Sequence, residues 1–199
     1  MGPWVLWWVG FVRTGKKLVY VPEDVLNLIA EICRRDGITI SKFIEDALRE
    51  AVRLRSLGCD LKEAVDTIEV IRVHKVLGGA FVPQDLLDFI VERVYSSDRE
   101  ELLKRHFESG LLYGRYIKGR FKHPIEALKS FLETSRWDLD EVEITSNGDV
   151  WSLRCVSTVL SANGTEMLAK FIEGVVKGLG YEVLQIDHIR GMITVEFKK

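Results

Sequence analysis

The chain has 199 residues, 47% of them hydrophobic and 29% charged, with four prolines and a formal net charge of −2. That length holds one large domain or two small ones, and the composition excludes a disordered or collagen-like chain. A charge so near balance also excludes an overall pull toward nucleic acid or anionic lipid, so such a partner must be held by a local patch.

The apolar run "WVLWWVGFV" occupies positions 4–12. It is much shorter than the roughly 20 residues a spanning helix needs. It also lacks the basic flank and small-residue cleavage site of a secretion signal. Trp4, Trp7, Trp8 and Phe11 fall at helical spacing. This leaves open a membrane-surface or partner-binding helix, a strand or cap packed on the body, or a start codon placed too early; no lysine face accompanies the aromatics. Cys33, Cys59 and Cys155 lie far apart and form no CxxC pair, which suits a reducing compartment. The expectation is a cytoplasmic protein with no membrane partner.

Leu18–Val21 is β-branched, aromatic or leucine, and Pro22 follows with Glu23 and Asp24 behind it. Proline at the first helical position lacks only an N–H that would be unpaired anyway, and acidic groups there suit the helix dipole. A strand over 16–21 therefore passes into a helix. Val25, Leu28, Ile29, Ile32 and Cys33 draw its apolar face, and Asp36-Gly37 ends it. Thr39 offers an N-cap hydroxyl to a second helix whose stripe is Phe43, Ile44, Ala47, Leu48 and Ala51. One strand and two short helices bury too little to fold alone, so the unit needs a second copy of itself.

The stretch "KKLVYVPEDVLNLIAEICRRDGITISKFIEDALREAV" resembles the ribbon-helix-helix DNA-binding domain of the Arc, MetJ and CopG type. The resemblance rests on the strand, the Pro-acidic helix start, the Gly37 turn and the "GITISKFI" opening of the second helix. It implies a homodimer whose paired strands form an antiparallel ribbon in the major groove of double-stranded DNA. On that alignment Lys16, Leu18 and Tyr20 face DNA while Val19 and Val21 face the core. Thr39, Ser41 and Lys42, at the start of the second helix, are placed to hold a phosphate. Leu18 carries no hydrogen-bond code. Residues 13–55 hold nine Lys/Arg against seven Asp/Glu, only slightly basic. A ribbon that merely dimerises the protein stays open as the other reading.

Residues 60–108 read as a helical connector: "DLKEAVDTIEVIRVHKV" closed by Gly78-Gly79, then "VPQDLLDFIVERVY", then Ser-Ser-Asp capping "REELLKRHF". "AFVPQDLLDF" echoes "LVYVPEDVL", but two glycines precede it and nothing like "GITIS" follows. A shared Val-Pro-acidic helix start explains the echo without a duplicated unit.

From 109 to 199 the order is α, α, β, β, α, β, β, with "EVEIT" and "DVWSLRCVSTVL" flanking an Asn-Gly-Asp turn and "EVLQIDHI" pairing "MITVEFK". Trp151, Leu153, Cys155 and Val159 are expected on one sheet face, covered by the stripe of Met167, Leu168, Phe171, Ile172, Val175, Val176 and Leu179. The whole chain is thus expected to be α+β, with a ribbon-helix-helix head at 13–56, the connector, and an antiparallel-sheet domain.

The helix "GRYIKGRF", the passage "SFLETSRWDLDEVEI" and the closing "YEVLQIDHIRGMITVEF" resemble the small-molecule-binding domain of the 4-vinyl-reductase type, also found as the sensor of aromatic-responsive regulators. The likeness implies a small-molecule site; a gap between the sheet face of Trp151, Leu153 and Cys155 and the stripe of Phe171 and Val175 would be an apolar cavity suited to a hydrophobic or aromatic molecule. A solid core would use the same residues. Members of that family often carry cysteines near the last helix and hairpin, and 165–199 has none, so no metal or cofactor is implied. The cluster Arg115, Lys118, Arg120, Lys122 and His123 is either an anion-binding surface or the solvated end of a helix. No HExxH, GxSxG or GxxxxGK[ST] occurs, and Asp187 and His188 point to opposite strand faces. No catalytic residue is therefore expected. Gly174 and Gly178 are expected to admit a closely packed neighbour. The functional expectation is a homodimeric DNA-binding transcriptional regulator with a ligand-sensing C-terminal domain, the alternative a dimeric assembly protein that does not bind DNA.

Overall fold

A computed structural model describes Gly15 and residues 17–199, and the apolar run at 4–12 lies outside them. The chain divides into two compact units, one ending at Gly58 and the other Cys59–Lys199. Together they give a mixed α+β chain with six helices and a four-stranded antiparallel sheet among the described residues.

In the first unit α1 spans Glu23–Asp36 and α2 spans Ile40–Ser56. Pro22 sits one position earlier than expected, at the N-cap with φ −55° and ψ 142°. The same Val-Pro pattern recurs at Pro83, the N-cap of α4 below, with φ −55° and ψ 137°, so the echo is a shared helix start. Acidic Glu23 and Asp24 open α1 and Arg34 and Arg35 close it, each sign facing the end of the helix dipole that favours it. Gly37 takes the left-handed conformation, φ 69°, and its N–H bonds the Cys33 carbonyl. Thr39 caps α2, its Oγ1 accepting the Lys42 N–H at 3.2 Å.

No strand precedes α1 among the described residues: 17–22 is irregular, and Lys16 lies outside them. The physical reason is simple. An edge of backbone donors and acceptors forms a ladder only against a partner, and a single chain supplies none here.

The second unit opens with α3, Leu61–Leu77, capped by Asp60 Oδ1 on the Glu63 N–H at 2.9 Å and ended by left-handed Gly78. Next comes α4, Gln84–Arg120, broken at Asp98, where φ −150° and ψ 58° leave the helical region. Ser-Ser-Asp thus makes a kink and not the separate cap expected. Ser96 and Ser97 hydroxyls donate to the Arg93 carbonyl at 2.9 and 3.2 Å. Such back-bonding competes with the helix ladder and bends it.

Helix α5, Pro124–Ser135, leads to β1, Glu141–Asn147, and β2, Val150–Val156; α6, Ala162–Leu179, then crosses to β3, Glu182–Ile189, and β4, Met192–Lys198. The sheet order is β1-β2-β4-β3, with Leu153 opposite Val195 and Cys155 opposite Ile193. Leu168, Ile172, Val175 and Val176 of α6 close over that face, and all are fully buried with Leu153, Val195 and Phe197. β2 ends sooner than expected, so Val159 does not share the covered face; it lies in the following loop, 65% exposed.

Helices α4 and α6 cross at reciprocal glycines. A Cβ at Gly110 or Gly114 would strike the carbonyl oxygens of Phe171 and Val175, and one at Gly174 or Gly178 those of Phe107 and Leu111. The expected close neighbour of Gly174 and Gly178 is therefore α4, and backbone meets backbone there.

Candidate functional site

The head residues stand on the ends of short elements. Leu18 is 83% exposed and Tyr20 91% exposed, ahead of α1. Ile40, Ser41 and Lys42 are the first three residues of α2. The Thr39 hydroxyl already holds the Lys42 N–H, leaving the Ile40 and Ser41 amides at the helix start without an intrahelical carbonyl. The Lys42 ammonium reaches back to Asp46 Oδ1 at 2.7 Å, and this hydrogen bond, with the charge behind it, holds the lysine pKa above its ordinary value. A phosphate at this end would compete with Asp46 for Lys42.

The five residues expected to line a ligand pocket are dispersed. Leu153, Cys155 and Val175 lie in the closed core between sheet and α6. Burial pushes the Cys155 thiol up to about 12, so it stays protonated and unreactive. Trp151 lines a shallow pocket of about 300 Å³ with Pro124, Ile125 and Ile144. Phe171 lines another, also about 300 Å³, framed by His74, His106, Tyr113, Phe131 and Arg136.

The Phe171 pocket is the better defined of the two, because four elements converge on it. α3 supplies His74, α4 supplies His106 and Tyr113, α5 supplies Phe131, and α6 supplies Phe171. The Tyr113, Phe131 and Phe171 rings meet at centroid distances of 5.3, 5.4 and 6.5 Å. His74 Nδ1 is hydrogen-bonded to the Tyr113 hydroxyl at 2.9 Å. Burial lowers the pKa of His74 and raises that of Tyr113. Burial also lowers His106, whose Nδ1 faces the Leu102 carbonyl at 3.0 Å. Arg136 forks onto the Asp138 carboxylate at 2.8 and 2.5 Å, so its charge is matched locally. The site is an aromatic wall whose polar edge carries the two imidazoles, Ser109, Ser135 and Arg105, the last paired with Glu101 at 2.8 Å, and it suits a small, largely apolar molecule with a hydrogen-bonding end.

Sequence pattern did not reveal this pocket, apart from Phe171. His74 and Tyr113 are 39 residues apart, and periodicity marks both only as members of helices. Their convergence is a property of how α3, α4 and α5 pack.

Among the described residues no group of three or more His, Cys, Asp or Glu side chains could hold a metal ion. None of the described helices is long and apolar enough to cross a membrane. No protein-family model matches the chain, and no curated protein matches it.

Proposed function

We propose that the chain is a homodimeric DNA-binding transcriptional regulator of the ribbon-helix-helix kind, with a C-terminal unit that senses a small aromatic or apolar molecule. One observation carries the reading. The first unit encloses almost no core: Cys33 is its only buried residue among the described ones, while Val25, Leu28, Leu48 and Val52 leave apolar faces open. Strand-forming Leu18–Val21 lies without a ladder just before those faces. Two copies pairing these strands would satisfy the backbone groups and cover the apolar faces in one step. The aromatic pocket beside Phe171 supports the sensing part.

The test is a titration of duplex DNA at several salt concentrations. Binding is expected to weaken steeply with salt, since phosphate contacts release counterions. Lys42→Ala is expected to weaken all sequences alike and flatten that dependence, whereas Tyr20→Ala changes the ranking among sequences. Salt-independent or absent binding by a dimeric chain rejects the reading.

The Lys42–Asp46 pair and exposed Leu18 favour a second reading, in which the ribbon only joins two copies of an assembly protein. There Lys42 is already neutralised and Leu18 offers an apolar contact. A stable dimer indifferent to DNA is its expected result.

A further inference from the structure

The covered face of the sheet does not end in closed core. Leu153 is fully buried, but two residues back along β2, on the same face, Trp151 is only half-buried. Ile144 of β1 pairs with Leu153 across the ladder, which makes it the diagonal neighbour of Trp151 on that face. The start of α5 adds Pro124 and Ile125, and these four side chains form the apolar wall of the shallow cavity of about 300 Å³. It shares no lining residue with the Phe171 pocket.

The rim of this cavity comes from a basic stretch. Residues 115–129 hold five Lys/Arg and one acid, Glu126. Lys122, His123 and Lys129 line the cavity together with Glu126. Lys122 and His123 pair with no carboxylate among the described residues, and Lys129 has only Glu133, at 3.7 Å. An exposed pair that loose holds its lysine weakly. Both ammonium groups are therefore available to a ligand.

The same four polar residues also border a wider groove against α3, of about 520 Å³. There Asp66, Glu69 and Glu133 join Glu126, and Lys62 is the one added base. Four acids against three lysines and an imidazole leave that groove without an excess of positive charge. An anion gains more on the Trp151 side, where one carboxylate stands among two ammonium groups and the rest of the wall is apolar.

An apolar wall beside a local excess of positive charge selects the class of ligand. A sugar would leave hydroxyl groups against Pro124 and Ile144 without partners. A neutral apolar molecule would make no use of the lysines. We propose that this cavity binds a small organic carboxylate with a compact apolar body, the body against Trp151 and Ile144 and the carboxylate toward Lys122 and Lys129. The site stands independently of how the first unit meets DNA, and its ligand differs in charge from the one assigned to the Phe171 pocket.

The experiment titrates the full nitrogen-15-labelled chain with phenylacetate and follows the indole N–H resonances, with Trp151→Phe assigning the Trp151 signal. Trp137, 82% exposed and outside the cavity, is the internal control. The Trp151 signal is expected to shift saturably, with half-saturation on the order of 1 mM, the affinity that about ten non-hydrogen atoms give. Lys122→Gln combined with Lys129→Gln is expected to weaken binding about fivefold and Glu126→Gln to tighten it about twofold, the scale of exposed charge pairs. Phenylacetamide, the same shape without the charge, tests the carboxylate on the wild type with no variant needed, and it is expected to bind about fivefold more weakly. Ser109→Leu, which narrows the Phe171 pocket, is expected to leave the titration unchanged. A Trp151 signal that stays still, or moves only in step with Trp137, overturns the proposal. Equal binding of phenylacetate and phenylacetamide overturns the carboxylate and leaves an apolar cleft. An equal response to inorganic phosphate overturns the apolar body and leaves a surface counter-ion. Loss of binding in Ser109→Leu moves the ligand to the Phe171 pocket and overturns this site while leaving that one intact.

Discussion

Glycine positions on α4 and α6 differ in what surrounds them, and that difference predicts opposite responses to one methyl group. A Cβ at Gly174 meets the backbone of Phe107, which cannot rotate away as a side chain would, while a Cβ at Gly119 meets nothing within 4 Å. Gly174→Ala is expected to destabilise the second unit by about 3 kcal/mol. Gly119→Ala is expected to be neutral or to stabilise by about half a kcal/mol, through helix propensity alone. Chemical denaturation of the two variants beside the wild type measures both; similar midpoints would mean the crossing is looser than its geometry implies. The histidines give a second prediction at this scale. Folding lowers His74 and His106 below their ordinary 6.5. Between the folded value and 6.5 the unfolded chain therefore binds more protons than the folded one. Stability is full above 6.5 and is lost as pH falls through that window. Glu166, Glu173 and Asp138 have carboxyl pKa values lowered below the usual 4.5 or 3.8, so they act at more acid pH. A stability curve flat between pH 7.5 and 5.5 would place both imidazoles in contact with solvent. His74→Phe is expected to flatten part of the slope.

Among the elements, the first half of α4 depends on few contacts. Leu86, Phe89 and Ile90 are exposed, while Val91 packs with Leu103 and Met167. Beyond that, the segment is tied down by polar clamps. Tyr95 and Arg99, on either side of the Asp98 kink, both engage the Glu166 carboxylate of α6. Asn163 Nδ2 donates to Glu92 at 2.8 Å. Glu166→Gln keeps the shape and removes the charge. The expected cost is about 1 kcal/mol, because Arg99 is half exposed and solvent screens the pair. Amide exchange over 84–97 is expected to quicken while α6 stays protected, and equal protection of both segments would show that the clamp contributes nothing. The kink also marks where sequence patterning stops being sufficient. Amphipathic stripes and turn residues were enough to read α6, both hairpins and the order of elements from 109 onward, because each depends on neighbours within a few residues. Whether Ser96-Ser97-Asp98 ends one helix or bends it depends on whether the two halves find support on α6, which lies far along the chain. The aromatic pocket escaped for the same reason, and whether the covered sheet face closes into core, as it does at Leu153, Cys155 and Val175, depends on side-chain volumes across the layer, which alternation does not encode. The strand expected over 16–21 does not form in the described residues 17–22 of the single chain, because its ladder needs a second edge that local pattern cannot supply.

For the molecule as a whole, the proposed function requires that filling the Phe171 pocket alter how the first unit meets DNA. On the proposed function, a bound molecule changes DNA affinity only by favouring one arrangement of two paired copies over another. The covalent route for that bias is short: Leu57–Asp60 joins α2 directly to α3, and His74 near the end of α3 borders the pocket. Ser109 also borders it from α4, and Ser109→Leu would occupy part of the void much as an apolar ligand does. The variant is expected to stay folded, with an unfolding midpoint near that of the wild type, since the added methyl groups enter empty space and not packed core. If the pocket is coupled to the head, DNA affinity shifts by a factor of roughly 5–150, the range of a coupling free energy of about 1–3 kcal/mol. The sign depends on which arrangement the filled pocket favours. A folded Ser109→Leu chain whose DNA titration overlays the wild type would mean that occupying this pocket tells the head nothing.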